Sequence, residues 1–164
     1  MPMSEKEQWI QTRETELSTT LRVLKAYPSD KLDYKPHEKA RSARELAWTF
    51  AMEEGFLGMI LKGKIEFGGS PPLPPKTMSE IITAIEHSVK ENNSKVRALS
   101  ESDLNMMMDF PSGPGKMGKF RKGDLLWMMI MDAVHHRGQF SVYLRIAGGK
   151  VPSIYGPSAD EPWM

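Results

Sequence analysis

The sequence predicts an all-α fold, an antiparallel four-helix bundle, and three observations carry that prediction. Four segments repeat apolar residues at three- and four-residue spacing. Two of those segments open with a Ser/Thr-x-x-Glu capping box. Strand-like alternation is scarce, and the links between segments are long and rich in glycine and proline. Helices of this length with such links match a bundle with one or two crossovers.

The first helix is expected over residues 4–27, with Trp9, Leu17, Leu21 and Leu24 on its apolar face, ending before Tyr27-Pro28. The second opens at Ser42, with Glu45 placed to complete the box, and runs to Lys62 and Gly63. IEFGGSPPLPPK then forbids a regular helix. Thr77 and Glu80 cap the third helix, whose stripe of Ile81, Ile85, Val89, Val96 and Leu99 reaches about Ser100. ESDLNMMMDFPSGPGKMGKFRKG is a long connection with room for a short hairpin, and its basic run KMGKFRKG is expected as a solvated loop. The last helix spans Asp124 to Ala147 and stops at Gly148-Gly149. The closing KVPSIYGPSADEPWM reads as an ordered tail across the bundle end, burying Val151, Ile154, Tyr155 and Trp163.

At 164 residues the chain fits a single domain, 1–164, with a substantial core. A formal net charge of +1 gives no reason to propose nucleic acid or an anionic membrane as partner. With no cysteine, disulfides, thiolate zinc sites and a cysteine nucleophile are excluded. No basic start followed by an apolar core marks a signal peptide, and no run approaches the roughly 18 apolar residues of a membrane span. A soluble cytoplasmic protein is expected.

The chemistry lies in polar residues set inside apolar faces. On a helical wheel the second helix gathers Leu46, Thr49, Phe50, Glu53, Phe56, Leu57 and Ile60. The last helix gathers Leu125, Met128, Met129, Asp132, His136, Gln139 and Tyr143, with His135 at the margin. Each buried polar group left unpaired costs roughly 1–3 kcal/mol, so Thr49, Glu53, Asp132 and His136 are expected to meet in one interior cluster. That cluster is either a divalent-metal or acid–base centre, or a satisfied polar network that fixes helix register. His37 and His87 read as surface residues. Arg137 points away from Asp132, toward a carboxylate of a neighbouring segment. Gly138 suggests a close helix approach.

A second apolar surface is expected at Trp48, Met52 and Met59, and at Leu126, Trp127, Ile130, Met131 and Val134. Exposed, these flanks would form a homodimer interface; the alternative is that the long loops and the tail cover them.

HHRGQFSVYLRIAGGKVPSIYGPSADE, together with KLDYKPHEKARSARELAW, resembles the DinB-like (damage-inducible, YfiT-related) helical-bundle family. The resemblance extends by organisation over nearly the whole chain. It implies a four-helix bundle of the DinB/YfiT type, usually dimeric. It also implies kinship with metal-dependent thiol S-transferases and thiol-dependent isomerases, which hold zinc or nickel with three histidines. Carried over, those positions fall on Thr49, Asp132 and His136, so one imidazole of three remains. A threonine hydroxyl is a poor ligand for either metal, and Asp132 with His136 alone would hold one weakly unless Glu53, one turn beyond Thr49, joins them. The resemblance therefore implies a diverged relative of metal-dependent thiol transferases or hydrolases, with zinc or nickel held weakly or not at all. The alternative is a metal-free homodimer, either a small-molecule-binding protein or a stress-related scaffold.

Overall fold

The computed structural model describes residues 2–66 and 68–164; Phe67, inside the predicted 65–76 loop, lies outside them. Four long helices, α1 (Glu5–Lys25), α2 (Ala43–Lys62), α3 (Met78–Ala98) and α5 (Lys122–Ile146), make most of the chain. A short helix, α4 (Glu101–Leu104), and an antiparallel hairpin, β1 (Met107–Gly113) and β2 (Lys116–Arg121), join α3 to α5. The fold is mostly helical rather than all-α, and the hairpin corrects that expectation. The basic run is strand β2 rather than a solvated loop, and it leads into Lys122, which is buried. The cause is a short two-residue period: Met108 and Phe110 point inward while Met107 and Asp109 point out.

Helix boundaries follow local chemistry. The Ser42 hydroxyl accepts from the Glu45 N–H at 3.2 Å, and the Glu45 carboxylate accepts from the Ser42 N–H at 2.6 Å. Thr77 and Glu80 repeat the arrangement at α3, and Ser4 with Glu7 at α1. Gly63, at φ 78°, ends α2 in the left-handed conformation that glycine adopts without strain.

Helix α2 packs on α3 and α5, and α1 packs on α5 and α3. The core divides in two. One apolar cluster centres on Leu24, Phe50, Ile81, Ile85 and Phe140; the other centres on Trp9, Ile60, Val96, Leu125 and the hairpin's Phe110. On every long helix the division falls at polar residues: Arg13 and Glu16 on α1, Glu53 and Glu54 on α2, Asn92 on α3, and Asp132, His136 and Arg137 on α5. Arg13 meets both Glu54 oxygens at 2.7 and 2.6 Å, and Asn92 donates to the same carboxylate at 2.9 Å. Arg137, 1% exposed, meets Glu16 at 2.6 Å and the Tyr155 hydroxyl at 2.7 Å.

The tail is tied down by polar contacts more than by apolar ones. Val151 and Ile154 pack on the core, whereas Trp163 and the Tyr155 ring stay exposed, contrary to expectation. Instead Arg22 holds Glu161 at 3.0 Å and Arg145 holds Asp160 at 2.5 Å. The chain itself covers most of the predicted second apolar surface. Leu126 and Ile130 are buried, the Trp127 N–H donates to Glu5, and the Trp48 N–H donates to the Pro72 carbonyl. No helix among the described residues is long and apolar enough to cross a membrane.

Candidate metal centre

Helix α2 brings Glu53 inward because it lies one turn from both Phe50 and Leu57, whose side chains are buried. Helix α5 sets Asp132 and His136 one turn apart beside it. Glu53 Oε1 lies 2.5 Å from His136 Nδ1, and Asp132 Oδ1 lies 3.8 Å from the same nitrogen. One ligand atom from each of the three lies within 4.8 Å of the others, a group that can hold a metal ion. The Phe50 ring stands edge-on to the imidazole at 6.5 Å.

The three differ in depth. The Glu53 and His136 side chains are 10% and 15% exposed, while that of Asp132 is 48% exposed. Asp132 therefore forms the mouth of the site rather than part of the interior. Thr49, the fourth residue expected here, spends its hydroxyl elsewhere. It donates to the Glu45 carbonyl at 3.2 Å and accepts from Arg41 Nη1 at 2.8 Å. Gln139 and Met128, also expected inside, are exposed, and Gln139 bonds to His135 at 3.0 Å. His37 and His87 are exposed, as expected.

Burial pushes the Glu53 carboxyl up to about 9, and the negative charges of Asp132 and Glu54 add to it. Burial also lowers the His136 pKa, aided by His135 and Arg41 and opposed by Asp132. Both groups are thus neutral near pH 7. Glu53 Oε1 and His136 Nδ1 share a hydrogen bond whose donor is set by the tautomer of the ring. Burial favours the neutral acid, whereas the negative charges of Asp132 and Glu54, the smaller cause, would also favour a divalent cation in place of the Glu53 proton. Two carboxylates and one imidazole make a harder donor set than three imidazoles, leaning toward ions such as manganese, iron(II) or zinc.

Arg13, Glu54, Asn92 and Arg41 are the functional-looking residues that sequence reasoning missed. For Arg13 and Asn92 a signal existed. Arg13 lies midway between Trp9 and Leu17 at helical spacing, and Asn92 lies between Val89 and Val96. Arg41 precedes α2 in a loop and carries no periodic signal.

A family model described as the DinB family matches residues 1–163. The chain belongs to the DinB family. A crystal structure of a DinB-like protein from Bacillus cereus ATCC 10987 matches this fold with a TM-score of 0.76 at 20% identity, covering 90% of this chain and 95% of that one. The DinB-like protein YjoA from Bacillus subtilis matches with a TM-score of 0.67 at 20% identity, covering 87% and 94%. These two show kinship of fold. Among curated sequences, the uncharacterized protein YrdA of Bacillus subtilis (strain 168) is 51% identical over 39 residues, which span 24% of this DinB chain and 23% of that protein.

Proposed function

We propose that this DinB protein is a diverged relative of the metal-dependent thiol transferases and hydrolases, with Glu53, Asp132 and His136 as its metal ligands. The observation that supports this most is the convergence of two carboxylates and an imidazole within 4.8 Å at the junction of α2 and α5. A divalent ion bound there would polarise a thiol or a water. The chain's own part is to strip water from one side of the site through Phe50, to aim His136 through its contact with Glu53, and to leave the Asp132 side open to an incoming molecule. Thr49 is outside the ligand set on this reading, and a weak site is the consequence of losing two imidazoles.

The test is metal titration of tag-free, chelator-treated protein, read by calorimetry and by metal analysis after gel filtration. Manganese, iron(II) or zinc should bind with release of about one proton, taken from Glu53. Glu53→Gln and His136→Ala should each abolish that binding. Sub-stoichiometric metal under all three ions would overturn the reading. It would favour the alternative, a metal-free small-molecule-binding or stress-related scaffold protein in which the direct Glu53–His136 hydrogen bond completes the pair.

We further propose that the DinB chain acts as a homodimer through the outer face of α5, where Met128, Met131 and Ile146 are exposed. Gly138 lies on that face with nothing within 4 Å of the place a Cβ would occupy, so the close approach expected from it is not made within the chain. A second copy supplies it on this reading. Sedimentation at micromolar concentration should give twice the monomer mass, reverting to one for Met131→Glu; a monomeric wild type would remove the proposal.

A further inference from the structure

The sequence holds eight arginines, and among the described residues seven of them meet a carboxylate at 2.5–3.0 Å. Arg41 is the exception. Its only described side-chain partner is the neutral hydroxyl of Thr49, reached through Nη1. A guanidinium carries five N–H donors, so the edge formed by Nη2 and Nε remains unused. Nor is the residue loosely placed. Its carbonyl accepts from the buried Tyr143 hydroxyl at 3.0 Å, and the next residue, Ser42, caps α2. Arg41 lines a cleft of about 500 Å³ with Leu46, His136, Gln139, Val142 and Tyr143, a size that suits a small molecule. A cation held beside a candidate metal centre works against metal binding unless an anion arrives between them.

We propose that this cleft binds a small carboxylate-bearing molecule, with the carboxylate forked on Arg41 and the apolar body between Leu46 and Val142. A carboxylate fits better than a phosphate. Arg41 is the one lining residue with a fixed positive charge, and its free edge matches two oxygens of a planar monoanion. The other end of such a molecule then faces His136. This placement rests on the reading of Glu53, Asp132 and His136 as the reacting centre, whereas the binding itself does not need the metal.

The experiment is a chemical-shift titration of tag-free, chelator-treated 15N-labelled protein with butyrate, butyramide and inorganic phosphate. Butyrate should give saturable shifts at residues 40–46 and 136–143, and butyramide, its neutral counterpart, should not. Arg41→Gln should weaken butyrate binding at least about tenfold, as loss of a charge-assisted contact implies. Arg41→Lys, which keeps charge without the fork, should fall between the two. Thr49→Val, which leaves the charge and frees the side chain, should weaken binding several-fold. Equal shifts with butyramide, tighter binding of phosphate, no saturable shift, or an unchanged affinity in Arg41→Gln would each overturn the assignment. Because the protein is metal-free, failure of metal binding leaves this result standing, and the reverse holds as well.

Discussion

Glu53 holds its proton chiefly because burial penalises the charged carboxylate. In an unfolded chain its carboxyl would titrate near 4.5, whereas in the fold it is pushed up to about 9 by burial first and by Asp132 and Glu54 next. A group that binds its proton more tightly when folded lends stability that is complete below its unfolded pKa. That stability is lost as pH rises through the folded value. His136 acts with the opposite sign lower down, because its lowered pKa costs stability as pH falls below its ordinary 6.5. Glu53→Gln keeps the shape and removes the titration. Thermal melts of chelator-treated protein between about pH 7 and pH 9, above the range where His136 titrates, should show the wild type losing stability toward the alkaline end and the variant staying flat. Parallel curves would mean that Glu53 is ionised in the fold. The pairing of Glu53 with His136 was legible from the two helical wheels. The role of Thr49 was not, since its partner Arg41 approaches from a loop that no periodicity describes.

At the scale of elements, the capping boxes of α2 and α3 were legible because they depend on four adjacent residues and nothing else. Ser42→Ala removes the hydroxyl that accepts the Glu45 N–H and should cost about 1 kcal/mol in urea denaturation. A change under about 0.3 kcal/mol would mean that the box is ornamental. The hairpin was only half legible. Its inward alternation covers two residues, Met108 and Phe110, too few to stand out from the neighbouring methionines. Helix α5 misled the wheel in a different way. It is apolar nearly all round, so the arc centred on Leu125 and Tyr143 swept in Met128 and Gln139, which face outward, and Asp132, which sits at the rim.

Across the whole molecule, two apolar clusters are joined through a belt of paired charges, and the candidate metal centre is one link in that belt. The pairs are interdependent, because a buried charge stripped of its partner is far more costly than the pair's absence. Arg137→Met should therefore destabilise the protein by roughly 3–5 kcal/mol by leaving the Glu16 charge without a cation, and adding Glu16→Met should recover much of that loss. Chemical denaturation of the two variants checks it, and a double variant no better than the single one would show that Arg137 acts by packing alone. Arg137 also bonds the Tyr155 hydroxyl, which in turn donates to Glu16 at 2.8 Å. A protease nick just beyond Gly149 would thus pull a phenol out of the waist of the molecule and unlatch Arg22 and Arg145 in the same stroke. The clipped protein should keep its helical circular dichroism while amide exchange quickens around Glu16 and Arg137, loosening from the middle outward rather than fraying from its ends.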